Sequence, residues 1–184
     1  MKTIGLIGGM SWESTALYYR LINQGVQQAL GALHSARIVL YSLDFAVIAH
    51  LQKKGDWDGA AAILAQAAQA LESGGADFLL LCTNTMHKVA AAIQAAVQIP
   101  LIHIADATAE ELQAQSIRRV ALLGTAFTPR TSWKSTPNWA IFWMALPMGW
   151  NRPVSQMAKV TANEARNWMR SMQNRATTIM NTVS

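Results

Sequence analysis

A chain of 184 residues, 52% of them hydrophobic and one of them cysteine, is long enough to bury a core in one domain or two small ones, and it excludes an intramolecular disulfide and any cysteine-rich zinc site. The formal net charge is +5, but residues 1–130 hold nine Lys/Arg against nine Asp/Glu and residues 131–184 hold six against one, so the excess belongs to the tail and no nucleic-acid partner is expected. A lone cysteine suits a reducing compartment, the stretch Met1–Ile7 is too short and wrongly flanked for a signal peptide, and the run Trp139–Leu146 is far below the ~20 residues of a spanning helix; a cytoplasmic protein with no membrane span is expected.

Lys2–Gly8 reads as a short apolar strand ending in Gly8-Gly9, followed by Ser11 as the cap of a helix that runs through Glu13, Ala16, Tyr19 and Ile22 to about Leu30. The glycine spacing is G-x-x-G-G, which does not meet the dinucleotide fingerprint G-x-G-x-x-G. Gly8 and Gly9 let the backbone approach a ligand, and the Ser11 N–H and hydroxyl suit an anion such as a carboxylate; an ordinary strand-to-helix turn accounts for the same residues equally well. Ala36–Leu43 is the second strand and Phe45–Lys54 a short helix, in which Lys53 and Lys54 are explained by the favourable placing of cations at a helix C-terminus. Ala60–Leu71 is an alanine-rich helix bounded by Gly59 and Gly74-Gly75.

The chain is organised around the stretch Leu79–His87. Phe78–Leu81 reads as a strand buried on both faces, and Thr83, Asn84 and Thr85 are helix-capping types ahead of the apolar-periodic segment Val89–Val97. Cys82 therefore stands where a strand ends and a helix begins, beside N–H groups that bias a thiol toward its thiolate. A lone cysteine after an apolar run also fits a small buried hydrophobe. Pro100–Ile104 is a fourth strand and Ala105–Gln115 a helix, so the order βαβαβαβα predicts an α/β fold with a doubly wound parallel sheet, whose ligands bind at the carboxyl ends of the strands. His87 and His103 fall close enough to that edge to touch a site, although such histidines are more often hydrogen-bonded structural residues; no metal-ligand spacing occurs and no metal is expected.

Arg118–Gly124 repeats the pattern of Lys2–Gly8 at an offset of 116 residues, just after a complete four-strand unit. The expected organisation is a first lobe over residues 1–116, the start of a second, incomplete lobe over 117–130, and a divergent tail over 131–184. At the same offset the counterpart of Cys82 would fall near position 198, beyond this sequence.

With Gly8-Gly9-Met10-Ser11-Trp12-Glu13-Ser14-Thr15, Asp44-Phe45, Gln52-Lys53-Lys54-Gly55-Asp56-Trp57, Leu81-Cys82-Thr83-Asn84-Thr85-Met86-His87-Lys88, His103-Ile104-Ala105-Asp106-Ala107-Thr108 and Leu123-Gly124-Thr125, residues 1–128 resemble the aspartate/glutamate racemase superfamily, in particular its broad-specificity amino-acid racemases. The resemblance implies cofactor-independent interconversion of L- and D-amino acids, in which a thiolate removes the α-proton on one face and a thiol returns one on the other. By the same resemblance Cys82 is the first catalytic thiol, Met10, Gln52, Thr83, Asn84 and Thr85 contact the amino-acid substrate together with the anion-binding candidate Ser11, and a homodimer is expected. A second catalytic cysteine in a Gly-Cys-Thr-Glu segment belongs to the pattern and does not occur in this sequence, which implies impaired turnover. The alternative function is a remnant that binds an amino acid or dicarboxylate without catalysis. Cysteine-dependent hydrolysis by Cys82 and His87 is weaker, for want of a group to orient the histidine.

From about Thr131 the sequence loses its βα rhythm and gathers five of the seven Trp and six of the nine Met. The expectation is a reading frame that shifts near Phe127–Arg130 and ends early; the alternative is an appended segment, in which a helical stripe over Gln156–Val183 covers the sheet or, being basic and Trp-rich, lies on a membrane surface.

Overall fold

The computed structural model describes residues 1–114 and 116, together with the short strands Ala121–Leu122 and Phe142–Trp143. The remaining expectations for 117–130 and 131–184, including the helical stripe of Gln156–Val183, lie outside the described residues. Strand β1 (Thr3–Gly8), helix α1 (Trp12–Leu30), strand β2 (Arg37–Ser42) and helix α2 (Phe45–Lys54) follow the sequence pattern closely. Helix α3 (Trp57–Ser73) starts earlier than its alanine run, because Asp56 acts as N-cap and accepts the Gly59 N–H at 2.8 Å. Strand β3 (Phe78–Leu81), helix α4 (Ala90–Ala95), strand β4 (Leu101–Ile102), helix α5 (Ile104–Ala114), and the paired strands β5 (Ala121–Leu122) and β6 (Phe142–Trp143) complete the order.

Four strands form one parallel sheet in the order β2-β1-β3-β4. The chain steps outward from β1 to β2, then returns across the sheet to lay β3 on the other side of β1. The point where strand order reverses therefore lies between β1 and β3, and in open α/β sheets ligands bind at such a point, outside the carboxyl ends of the strands. Helices cover both faces, as a doubly wound sheet requires. On one side Tyr18 and Ile22 of α1 pack with Ile4, Leu6, Phe78, Leu80 and Cys82. On the other, Leu64 and Leu71 of α3 and Ile93 of α4 pack with Ile7, Leu79 and Leu81. Successive residues of β3 thus serve opposite cores, which is why its sequence is an unbroken apolar run.

The inward face of α1 carries Thr15, Tyr18 and Val26, while Ala16 and Tyr19 face solvent. Two local expectations are corrected. The single helix expected over Val89–Val97 is a 3-10 turn at Thr85–Val89 followed by the short α4, because Asn84 makes no side-chain cap and Gln94 ends the segment by donating to the Ile99 carbonyl (3.0 Å) and accepting the Leu101 N–H (2.7 Å). The fourth strand shrinks to Leu101–Ile102: Pro100 brings no N–H, and the His103 ring accepts the Ala105 N–H at 3.0 Å, which turns the chain into α5.

Candidate active site at the β1/β3 switch point

Two loops meet where β1 and β3 end. In the first, Gly9 adopts φ +88°, and a Cβ there would run into the backbone of Leu43; a Cβ on Gly8 would lie 2.8 Å from the Thr15 hydroxyl oxygen. Both glycines are thus required by close approach of the chain to itself. The buried Thr15 hydroxyl accepts the Gly9 N–H at 2.9 Å and donates to the Ser11 carbonyl at 3.0 Å, so it ties the loop down at two points. Ser11 acts as the expected cap, its hydroxyl oxygen accepting the Ser14 N–H at 3.3 Å. Met10 is 5% exposed and packs in the same core as Ile48 and Met86.

The second loop begins at Cys82. Its N–H is bonded to the Ile7 carbonyl at 2.9 Å, and its side chain is completely buried on the α1 face of the sheet beside Tyr18. Burial pushes the thiol up to about 12. The expected bias toward thiolate is therefore reversed: the following turn starts only at Thr85, the Cys82 N–H is already bonded, and apolar neighbours disfavour the anion. The Tyr18 phenol is also raised, first by burial and then by the charge that Cys82 would carry. Of the other expected contacts, Thr83 and Thr85 are half-buried and Asn84 is exposed. Gln52, at the end of α2, is half-buried and donates from Nε2 to Met86 Sδ at 2.9 Å, so the structure brings Gln52 to the turn after Cys82.

His87 is 4% exposed and has both nitrogens engaged. Nδ1 donates to the Thr83 carbonyl at 2.7 Å, and Nε2 accepts the Ile104 N–H at 3.3 Å. That assignment fixes the neutral tautomer with hydrogen on Nδ1, since an N–H donor needs a bare nitrogen to receive it. The His103 ring meets His87 edge-on, with centroids 4.5 Å apart. Burial, then the neighbouring His103, lower His87 to about 4. His103 is lowered as well, chiefly by burial, with Asp106 opposing. Neither His87 nitrogen is left for Cys82, so the pair needed for cysteine-dependent hydrolysis is not formed.

Thr15 and Tyr18 are the site residues that sequence reading missed. They lie one helical turn apart, in phase with Ile22 and Val26, and a stripe counted from Ser11 inward identifies them. Among the described residues no group of three or more His, Cys, Asp or Glu is placed to hold a metal ion, and no helix is long and apolar enough to cross a membrane.

Residues 7–136 match the Asp/Glu/hydantoin racemase family model. The broad-specificity amino-acid racemase RacX of Bacillus subtilis is 28% identical over 125 residues, which cover 66% of this chain and 54% of RacX. Among solved structures, a Yersinia pestis protein assigned to the Asp/Glu racemases is 57% identical with a TM-score of 0.65, covering 68% of this chain and 54% of that one. An aspartate racemase homologue of Pyrococcus horikoshii OT3 is 37% identical with a TM-score of 0.63, covering 70% and 56% respectively. The chain thus spans about half the length of each of these relatives.

Proposed function

We propose, because the chain belongs to the Asp/Glu/hydantoin racemase family, that its β1/β3 switch point takes an amino acid and that Cys82 exchanges the α-proton without a cofactor. The observation that carries this reading is the position of the sole cysteine at the carboxyl end of β3, directly beside the reversal of strand order. In this reading the thiolate of Cys82 takes the proton from Cα, the electron pair of that C–H bond passes into the carboxylate-stabilised carbanion, and the proton returns to Cα. Met10, Ser11, Gln52, Thr83, Asn84 and Thr85 are the proposed substrate-side residues, with the Ser11 hydroxyl and the polar groups of Thr83–Thr85 directed to the carboxylate.

Inversion needs a donor on the opposite face, and the sequence contains one thiol. The proposed outcome is therefore slow exchange of the α-proton of one enantiomer with little inversion. The test is NMR of L- and D-aspartate and L- and D-glutamate with the purified chain in deuterated buffer. Loss of the Cα proton signal from one enantiomer, abolished by Cys82→Ser, supports the reading. Efficient L-to-D conversion overturns the single-thiol account, and no exchange with any of the four overturns catalysis by Cys82.

A specific observation favours a second reading, binding without catalysis. Burial among apolar neighbours pushes the thiol up to about 12, so the neutral form is strongly favoured at pH 7. Calorimetric binding of aspartate or glutamate with no Cα exchange decides for this alternative.

A further inference from the structure

His87 belongs to neither the apolar core nor the proposed chemistry, yet it is nearly as buried as Cys82 and engages both of its nitrogens. Its two partners come from different connections. Thr83 lies in the loop that leaves β3 with Cys82, and Ile104 is the first residue of α5 after β4. The ring therefore fastens the carboxyl end of β3 to the carboxyl end of β4. These strands pair only at Leu79 with Leu101 and Leu80 with Ile102, so no ladder hydrogen bond reaches Cys82 from that side. Toward β1, by contrast, Cys82 is held by the bond to Ile7.

We propose that His87 is a positioning residue: as a neutral imidazole it clamps the Thr83 carbonyl to the Ile104 N–H and so holds the Cys82 turn in place, and adding a proton to Nε2 opens the clamp. The inference rests on the reading that the Cys82 turn is the site. Its chemistry is simple. Nε2 is an acceptor only while it is unprotonated, and an imidazolium there would face the Ile104 N–H donor and the His103 ring. The Thr83 peptide is also oriented by this bond: because a trans peptide is planar, fixing the direction of the Thr83 carbonyl fixes the direction of the Asn84 N–H. Around the ring the titratable neighbours are His103 on the β4 side and Asp106 on α5, acting through His103; Lys88 places its ammonium over the Trp57 ring at 3.7 Å. Both ring nitrogens of His87 are bonded to backbone groups rather than to a carboxylate, so an added proton gains no acidic partner there. The low proton affinity of the buried ring agrees with this geometry.

The test uses the full chain labelled with ¹⁵N. In long-range ¹⁵N–¹H spectra His87 is expected to carry hydrogen on Nδ1 alone at pH 7, and the Ile104 amide is expected to exchange slowly until the pH falls toward about 4, after correction for intrinsic rates. His87→Asn keeps an amide N–H near Nδ1, but its shorter side chain puts no acceptor at the position of Nε2. It should accelerate Ile104 exchange by about ten-fold, remove its pH dependence, and leave the Thr83 side of the clamp in place. His87→Ala should lose both and expose Cys82 to iodoacetamide faster than His87→Asn does; should it not fold, the wild-type tautomer and the Asn variant still decide. Hydrogen on Nε2, or Ile104 exchange unchanged in His87→Asn, overturns the clamp. Cα exchange with aspartate or glutamate is followed in the same samples: its absence in wild type with the clamp intact overturns the functional reading alone, and its persistence with the clamp absent overturns this inference alone.

Discussion

Tyr18 of α1 and Cys82 at the end of β3 occupy one buried cluster on the same face of the sheet, and the charge of the Cys82 thiolate would oppose ionisation of the Tyr18 phenol. Both groups are held neutral, and burial is the first cause for each. This relationship governs how the thiol behaves.

Iodoacetamide should therefore modify Cys82 far more slowly in the folded chain than in urea, with a pH midpoint well above the ~8.5 of a free thiol. The expected midpoint is about 12. Rapid modification at neutral pH in the native state would show that the thiol is open to solvent and would remove the basis for this expectation.

Thr15→Val keeps the shape of the side chain but removes the hydroxyl that serves the Gly9 N–H and the Ser11 carbonyl. The buried Gly9 N–H then lacks its partner, and stability should fall by about 1–3 kcal/mol, read from the urea midpoint at constant slope.

Gly9→Ala combines a left-handed backbone with a Cβ directed into the Leu43 backbone. A loss of about 2–4 kcal/mol is expected in urea unfolding, since neither the strain nor the clash is relieved by a side-chain rotation. Gly55→Ala, where φ is +74° but nothing lies near the added Cβ, should cost only about 1 kcal/mol and serves as the control.

Stability should depend on pH through His87. Its proton affinity is lower folded than unfolded, so the unfolded chain binds more protons between about 4 and the ordinary histidine value of 6.5. The stabilisation is complete above 6.5 and is lost as the pH falls through that window, to the order of 3 kcal/mol. His103 acts with the same sign. Urea midpoints from pH 7 down to 4 should show the decline in wild type and a shallower one in His87→Asn.

The β-strands, the alternation of helices and the position of Cys82 at a strand end were legible in the sequence because each depends on local matters: apolar runs, glycine and proline turns, and capping residues such as Ser11. Family membership was legible for the same reason, through contiguous motifs. The environment of Cys82 was not. Whether a cysteine beside capping residue types is a thiolate or a buried thiol depends on where the next turn begins, on which carbonyl takes its N–H and on which helix covers its side chain, and those partners, Thr85, Ile7 and Tyr18, lie from 3 to 75 positions away in the chain. The same holds for His87. Its spacing from Cys82 admits a catalytic pair, but the fold directs Nε2 to Ile104, and only the packing of β4 against β3 brings that amide within reach. Local chemistry determined which elements form; long-range burial and hydrogen bonding decided the charge state and orientation of the groups placed at their ends.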